Sequence, residues 1–225
     1  MPITDTDFNN KKSAFLENQL AELMKKVKDT EGNMNKKLAV AILAAGLGKR
    51  MKSPDKPKVM FEINGRPMID YVVELAFMVN AEKVVPIVGH HRELVINFLD
   101  KTFAGKNIEY AVQAEQLCTG HAVIQTAELL KDFDGEILIL SGDVPLLRYE
   151  TVEELINEHF EKNNTATLLT TVFENSHGYG RIVRDAEGNF SRIVEEKEAA
   201  EEEKQIKEIN PAIYIVNAKV LFDAL

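Results

Sequence analysis

Cysteine is nearly missing: one residue, Cys118, in a chain of 225. An internal disulfide and a thiolate zinc site are therefore excluded, and a reducing, cytoplasmic setting is expected. Positive charge is also in deficit, with 27 Lys and Arg against 36 Asp and Glu and a formal net charge of −9. That balance argues against nucleic acid as a partner, because such binding neutralises phosphates over an extended basic surface. Long apolar runs are absent as well. The longest nearly uncharged stretch, around residues 38–48, contains two glycines and falls well short of the roughly 20 residues a membrane span requires. Met1-Pro2-Ile3-Thr4-Asp5 offers neither a basic n-region nor an apolar h-region, so no membrane or export role is expected. The histidines lack metal spacing: His90 and His91 are adjacent, while His121, His159 and His177 are scattered, and loop or surface roles are expected of them. These shortages leave open the handling of small anionic molecules, for which only the pocket must be positive.

One segment meets that requirement. Leu43-Ala44-Ala45-Gly46-Leu47-Gly48-Lys49-Arg50-Met51 follows an apolar run at 38–42 and leads through lysines to Pro57-Lys58. Gly46 and Gly48 let main-chain N–H groups approach an anion closely, while Lys49, Arg50, Lys52, Lys56 and Lys58 put positive charge around the same point. The segment reads as a phosphate-binding loop at the end of a buried strand. An ordinary strand-to-helix turn with a solvated basic flank is the alternative.

The first 36 residues differ in texture from the rest. Leu16, Leu20, Leu23, Met24 and Val27 recur at helical spacing behind Ser13, so residues 1–36 read as an appended amphipathic helical extension. Its apolar face is expected to pack on the domain or to pair with a second copy of the chain, giving a homo-oligomer. From residue 37 to 225 strands and helices alternate. Apolar, β-branched runs at 38–43, 83–88, 108–112 and 136–141 are separated by helical patterns at 68–79, 93–102 and 121–130. That alternation predicts an α/β, Rossmann-like fold: a mostly parallel sheet with helices on both faces. A helix at 151–162 leads to a run at 166–173. Beyond it, 181–184 and 191–195 flank a turn as a hairpin, an acidic stretch at 195–208 reads as a solvated helix, and a strand is expected at 212–216. This region reads as a small β-rich lobe that covers a substrate.

Ligands of open parallel sheets gather beyond the carboxyl ends of the strands. There the third run delivers Gln113-Ala114-Glu115-Gln116, and the fourth delivers Ser141-Gly142-Asp143-Val144-Pro145-Leu146. Asp143 is the metal candidate, with its carboxylate free in the crevice. Mg²⁺ is commonly held by one or two carboxylates plus phosphate oxygens of the substrate, which a strand-end aspartate beside a phosphate loop provides. A structural Asx turn is the alternative. Gln113 can donate and accept together, as recognition of a base edge requires. Two other nucleotide motifs fail. The dinucleotide fingerprint needs a third glycine and an acidic end to the second strand, where this chain has Lys49-Arg50-Met51 and Gly89-His90-His91. The Walker pattern needs a hydroxyl where Arg50 follows Gly48-Lys49.

Taken in order, these motifs resemble the sugar-nucleotide pyrophosphorylases, and among them the uridylyltransferase domain of bacterial bifunctional N-acetylglucosamine-1-phosphate uridyltransferases. The resemblance runs from about 38 to 216. It rests on the glycine loop, Pro57-Lys58-Val59, Gln113-Ala114-Glu115-Gln116-Leu117 with Thr119-Gly120-His121-Ala122, and Gly142-Asp143-Val144-Pro145-Leu146. Further on it includes Gly178-Tyr179-Gly180-Arg181-Ile182, Ile193-Val194-Glu195 with Lys197, and Glu208-Ile209-Asn210. The resemblance implies a nucleotidyltransferase fold and a Mg²⁺-dependent conversion of UTP and N-acetylglucosamine-1-phosphate to UDP-N-acetylglucosamine and pyrophosphate. Leu43, Ala44, Ala45 and Gly46, through their main chain, and Gln113 would hold the uridine, helped by Cys118 and Thr119. Arg50 and Lys58 would contact phosphates. Asp143 would bind Mg²⁺, with Ser141 and Gly142 lining the same strand end, while Gly180, Glu195 and Asn210 would contact the sugar and its N-acetyl group.

The chain departs from the pattern in three places. Cys118 stands where the family has glycine, Lys49 where it has threonine, and the link from Ser53 to Lys56 is slightly longer. Leu225 falls before the segment that supplies a second Mg²⁺ ligand in the family, so the carboxyl end is expected to be incomplete relative to it. A non-catalytic module that binds a nucleotide sugar, or a pyrophosphorylase for another sugar-1-phosphate, are the alternative readings. The implied chemistry asks for no protein nucleophile: an anionic sugar phosphate attacks the nucleotide in line, and positioning with charge neutralisation carries the rate.

Overall fold

The computed structural model describes residues 37–46, 48, 56–115 and 119–225. The expected N-terminal helix and its pairing surface lie outside the described residues.

The folded unit spans Leu38–Leu225. It begins with β1 (Leu38–Leu43), whose six residues are all apolar. A small hairpin, β2 (Glu62–Ile63) and β3 (Arg66–Pro67), turns through Asn64 and Gly65 at φ 52° and 76°. Positive φ at both turn residues is what a two-residue hairpin demands and what Asn-Gly supplies. Helix α1 (Met68–Met78) follows. It stops because Asn80 takes φ 58°, so that Asn80 N–H bonds Phe77 O at 3.1 Å and Ala81 N–H bonds Ala76 O at 3.3 Å. This left-handed cap aims the chain into β4 (Lys83–Val88).

Next come α2 (Arg92–Thr102), β5 (Ala111–Val112), the short α3 (Thr119–Ile124) and α4 (Ala127–Leu130), β6 (Glu136–Ser141) and α5 (Tyr149–Glu161). The remainder holds β7 (Ala166–Leu168), β8 (Thr171–Val172), β9 (Gly180–Arg184), β10 (Phe190–Val194), α6 (Glu201–Lys204), β11 (Glu208–Asn210), β12 (Tyr214–Asn217) and α7 (Ala218–Ala224).

The main sheet has the order β5-β4-β1-β6-β12-β7. The first four strands are parallel, while β12 runs antiparallel to both β6 and β7. Both faces of β1 are covered. Leu38, Val40 and Ile42 pack with Ile69, Val72 and Val73 of α1 and Leu155 of α5, while Ala39 and Ala41 pack with Val85, Ile87, Ile137 and Leu130. Two buried faces explain why the run is apolar throughout instead of alternating. Each fully buried Ile or Leu contributes about 2 kcal/mol, so this sheet is the rigid base from which the loops project. A second, antiparallel sheet has the order β10-β9-β11-β8 and forms the lobe.

The expected α/β architecture with a β-rich lobe is therefore what the chain adopts, with local differences. The run at 166–173 is split, β7 joining the main sheet and β8 the lobe. The helix expected at 121–130 breaks into α3 and α4, and the acidic stretch holds only the single turn of α6. Among the described residues no helix is long and apolar enough to cross a membrane.

Candidate active site

Because β4 and β6 leave β1 on opposite sides, the carboxyl ends of β1 and β6 flank the point where the strand order reverses. A cleft of about 300 Å³ opens there. Leu43, Ala45 and Gly46 line it from the end of β1, Ser141 and Asp143 from the end of β6, and Gln113 from beyond β5. Lys58, Val59, Thr119, Ala122 and Ala212 complete the wall.

Packing fixes the positions of these groups. Ala44, expected to hold the uridine, is buried with its N–H on Ile87 O at 3.0 Å and does not line the cleft. A Cβ at Gly46 would meet nothing within 4 Å, whereas one at Gly48 would lie 2.9 Å from Lys58 Cβ, on a backbone at φ +59°. Glycine at 48 thus lets the main chain at that residue lie against Lys58. Gly142 permits a similar close approach on the neighbouring strand: its Cβ would sit 2.9 Å from Leu43 O and 3.1 Å from Val59 Cγ1. It does not line the cleft. By letting Val59 pack in, it seats the 3₁₀ turn of residues Lys58–Met60 against the end of β6.

Lys58 and Asp143 are joined there as an ion pair, Nζ on Oδ2. The Asp143 carboxylate is therefore not free, as the sequence suggested, because the tight Gly142–Val59 contact delivers a cation to it. Each partner keeps about a third of its side chain exposed, 39% for Lys58 and 33% for Asp143, so both remain reachable from the cleft.

Gln113 is 4% exposed, donates its main-chain N–H to Val88 O at 2.8 Å, and brings its Nε2 within 3.1 Å of His121 Nδ1. Thr119, at the start of α3, is exposed at the rim. Ser141 Oγ reaches Pro211 O at 3.3 Å, linking the end of β6 to the segment between β11 and β12.

Gly180, Glu195 and Asn210 come together in the lobe. A Cβ on Gly180 would lie 3.2 Å from Glu195 Oε1 and 3.6 Å from Asn210 Cβ. They do not line the cleft itself; Asn210 joins it by accepting the Ala212 N–H at 3.0 Å. Asn210 also donates to the Tyr214 hydroxyl at 2.5 Å, and burial pushes that phenol above its ordinary pKa. Next to Gly180 in β9 stands Arg181, only 2% exposed. Its guanidinium pairs with Glu196 at 2.8 Å, donates to Ile206 O at 3.1 Å, and reaches Tyr179 O. Glu196 also accepts the Gly178 N–H at 3.0 Å; that bond, with the Arg181 guanidinium second, holds its carboxyl below the usual range.

Arg50 and Cys118 lie outside the described residues. Sequence reasoning gave no site role to Val59 and Ala122, which stand inside the motifs of the resemblance, nor to Ala212 and Tyr214, which stand in none. It also expected a loop or surface role for His159, which is 1% exposed and sits between Glu136 at 3.0 Å and Thr167 at 2.9 Å. Its position among apolar residues of the amphipathic α5 was the available signal.

The parallel sheet, the strand-end cleft and the lobe together define a nucleotidyl transferase. The family model described as nucleotidyl transferase matches residues 39–225, and the chain belongs to that family. It is 46% identical over 188 residues to the bifunctional protein GlmU of Caldanaerobacter subterraneus subsp. tengcongensis, covering 84% of this chain and 40% of that protein. The GlmU of Thermoanaerobacter pseudethanolicus is 47% identical with the same coverage. This chain thus spans about 40% of the length of the relatives it matches. Among solved structures, a putative glucose-1-phosphate thymidylyltransferase from Bacillus anthracis superposes with a TM-score of 0.66 at 19% identity, covering 82% of this chain and 73% of that one. A UDP-glucose pyrophosphorylase complexed with UDP-glucose gives 0.67 at 17% identity, covering 83% and 78%. At such identities the likeness establishes the fold.

Proposed function

We propose that the chain transfers a uridylyl group from UTP to N-acetylglucosamine-1-phosphate, giving UDP-N-acetylglucosamine and pyrophosphate, with Mg²⁺ as cofactor. One observation carries the reading: Lys58 and Asp143 meet at the end of β6, in a cleft that Leu43, Ala45, Gly46 and Gln113 also line.

Among the described residues no group of three or more His, Cys, Asp or Glu could hold a metal unaided. A lone carboxylate suits Mg²⁺, which completes its shell with substrate phosphates and water, and Asp143 is the residue that would hold it. Bound there, the ion would neutralise charge on the triphosphate. Lys58 would leave its carboxylate partner for phosphate oxygens and stabilise charge as the pyrophosphate bond breaks. Arg50 would add planar, bidentate contacts to the same phosphates. The sugar phosphate carries a second pKa of about 6, so its oxygen is anionic at neutral pH and attacks the α-phosphorus without a general base. Gln113 would read the base and Gly180, Glu195 and Asn210 would hold the sugar, with Cys118 and Thr119 beside the uridine. A cytoplasmic location suits these substrates.

The test is a pyrophosphate-release screen over nucleoside triphosphates and sugar-1-phosphates with Mg²⁺. Release is expected from UTP with N-acetylglucosamine-1-phosphate, and at least about 100-fold less from ATP or GTP, since a base edge that mismatches a buried amide leaves polar groups unpaired. Comparable rates from all three would remove Gln113 from base recognition. Tight UTP binding with no release would make the chain a non-catalytic module.

A further inference from the structure

A glutamine amide carries an acceptor on one side and two donors on the other, and a half-turn exchanges them. Uracil and cytosine present inverse edges: uracil has an N3–H donor beside its O4 acceptor, cytosine an N3 acceptor beside its N4 amino donor. An amide that turns freely therefore fits either base. Selection between pyrimidines requires that something hold the amide in one sense.

His121 is placed to do so. It is half-buried on α3, with Nδ1 3.1 Å from Gln113 Nε2. Gln113 is itself anchored by its main-chain bond to Val88 O and by burial. His121 is steadied one turn further on by Gln125, whose Nε2 donates to His121 O at 3.0 Å; with Nδ1 as the acceptor, the ring proton sits on Nε2. With the Gln113 nitrogen turned toward Nδ1, the amide oxygen is turned the other way.

We propose that His121 is a positioning residue that sets base choice: by accepting the Gln113 amide N–H at Nδ1, it holds the amide oxygen in the sense that receives uracil N3–H. The proposal rests on the reading of the cleft as a uridine site.

Pyrophosphate release by the full chain from UTP and from CTP, at saturating sugar phosphate and Mg²⁺, gives a ratio of kcat/KM that reports the sense of the amide. In His121→Leu this ratio falls at least about tenfold, through a raised KM for UTP and a lowered KM for CTP. His121→Asn, whose Oδ1 offers an acceptor near the position of Nδ1, returns the ratio to within about threefold of the parent. A purely structural role would weaken both nucleotides together. An unchanged ratio in His121→Leu, or an asparagine variant as unselective as the leucine one, overturns the proposal. If thermal melting shows that His121→Leu does not fold, His121→Phe keeps the ring volume without the acceptor and is judged by the same ratio. A parent protein that uses UTP and CTP equally overturns the uridine reading, and is told apart because it shows before any substitution.

Discussion

In the main sheet, β1 and β6 are buried along nearly their whole length, and Leu43, Ser141 and Asp143 hang from their ends. In the lobe, β10 is exposed for its first three residues, and Glu195 follows it directly. The lobe is tied by charge: Arg181 to Glu196 at 2.8 Å, Arg184 to Glu208 at 2.7 Å and Lys207 to Glu174 at 2.6 Å. Apolar packing holds the sheet side of the cleft, whereas ion pairs of which most face solvent hold the lobe, the end proposed to take the sugar. Exposed pairs contribute about 0–1 kcal/mol each, so the sugar end should be the more easily loosened of the two. A rigid side and a side that yields suit the proposed division between nucleotide and sugar.

The largest effect should come from the rigid side. Asp143→Asn keeps shape and removes the charge that would hold Mg²⁺, so turnover at limiting Mg²⁺ should drop about 1,000-fold, with Lys58→Ala costing about 100-fold. Stability should change by less than about 1 kcal/mol, because both side chains are partly exposed. Near-parent rates for Asp143→Asn in steady-state assays would remove it from the metal site.

Arg181→Met tests the yielding side. It takes the guanidinium away from Glu196 and from the carbonyls of Tyr179 and Ile206, while Glu196 keeps the Gly178 N–H and Ile206 O keeps the Ser176 hydroxyl. A lower Tm is expected, because the hydrogen bonds of a fully buried guanidinium are lost. The KM for the sugar phosphate should rise about tenfold while the KM for UTP holds. Equal rises for both substrates would mean that the two regions are not mechanically separate.

The same contrast explains what could be read from sequence. Buried parallel strands write themselves as unbroken apolar runs, and the bounds of β1, β4 and β6 coincide with those runs. The glycine loop, Lys58, Gln113 and Asp143 follow from one topological rule about strand ends. The lobe was less legible. The run at 166–173 changes sheets midway, which periodicity cannot register, and the acidic stretch is held by side-chain pairs with Arg192 and Arg181 instead of by helical spacing. Asn64-Gly65 carried a clear hairpin signal that was passed over. The Lys58–Asp143 pairing depends on the close Gly142–Val59 approach, a contact between segments 83 residues apart that no local pattern announces.

Acid should separate the two regions without mutation. Glu196 and Glu208 are held below their ordinary pKa, Glu196 chiefly by the Gly178 N–H and Glu208 chiefly by the Arg184 guanidinium. A depressed carboxylate lends stability that is complete above its unfolded value, about 4.3, and is lost as pH falls through its folded value. Amide exchange, corrected for its intrinsic pH dependence, should therefore quicken in β9 and β11 below about pH 4.3 while β1 and β6 stay protected. Simultaneous loss in both sheets would show that the ion pairs do not govern the lobe's opening.

The smallest effect sits at the junction. Ala212 lines the cleft at φ +59°, a left-handed conformation that costs an L-residue about 1 kcal/mol and that glycine adopts freely. Some of that relief is offset by the greater freedom of an unfolded glycine, so Ala212→Gly should raise stability by about 0.5 kcal/mol, seen as a rise of roughly 1–2 °C in Tm. The Ala212 N–H bond to Asn210 Oδ1 needs no side chain at 212 and should persist. Turnover within about twofold of the parent would then place the strain outside the chemistry. A stabilised variant whose KM for the sugar phosphate rises several-fold would instead show that the strained residue holds Asn210 in register, making the junction a working element of the lobe.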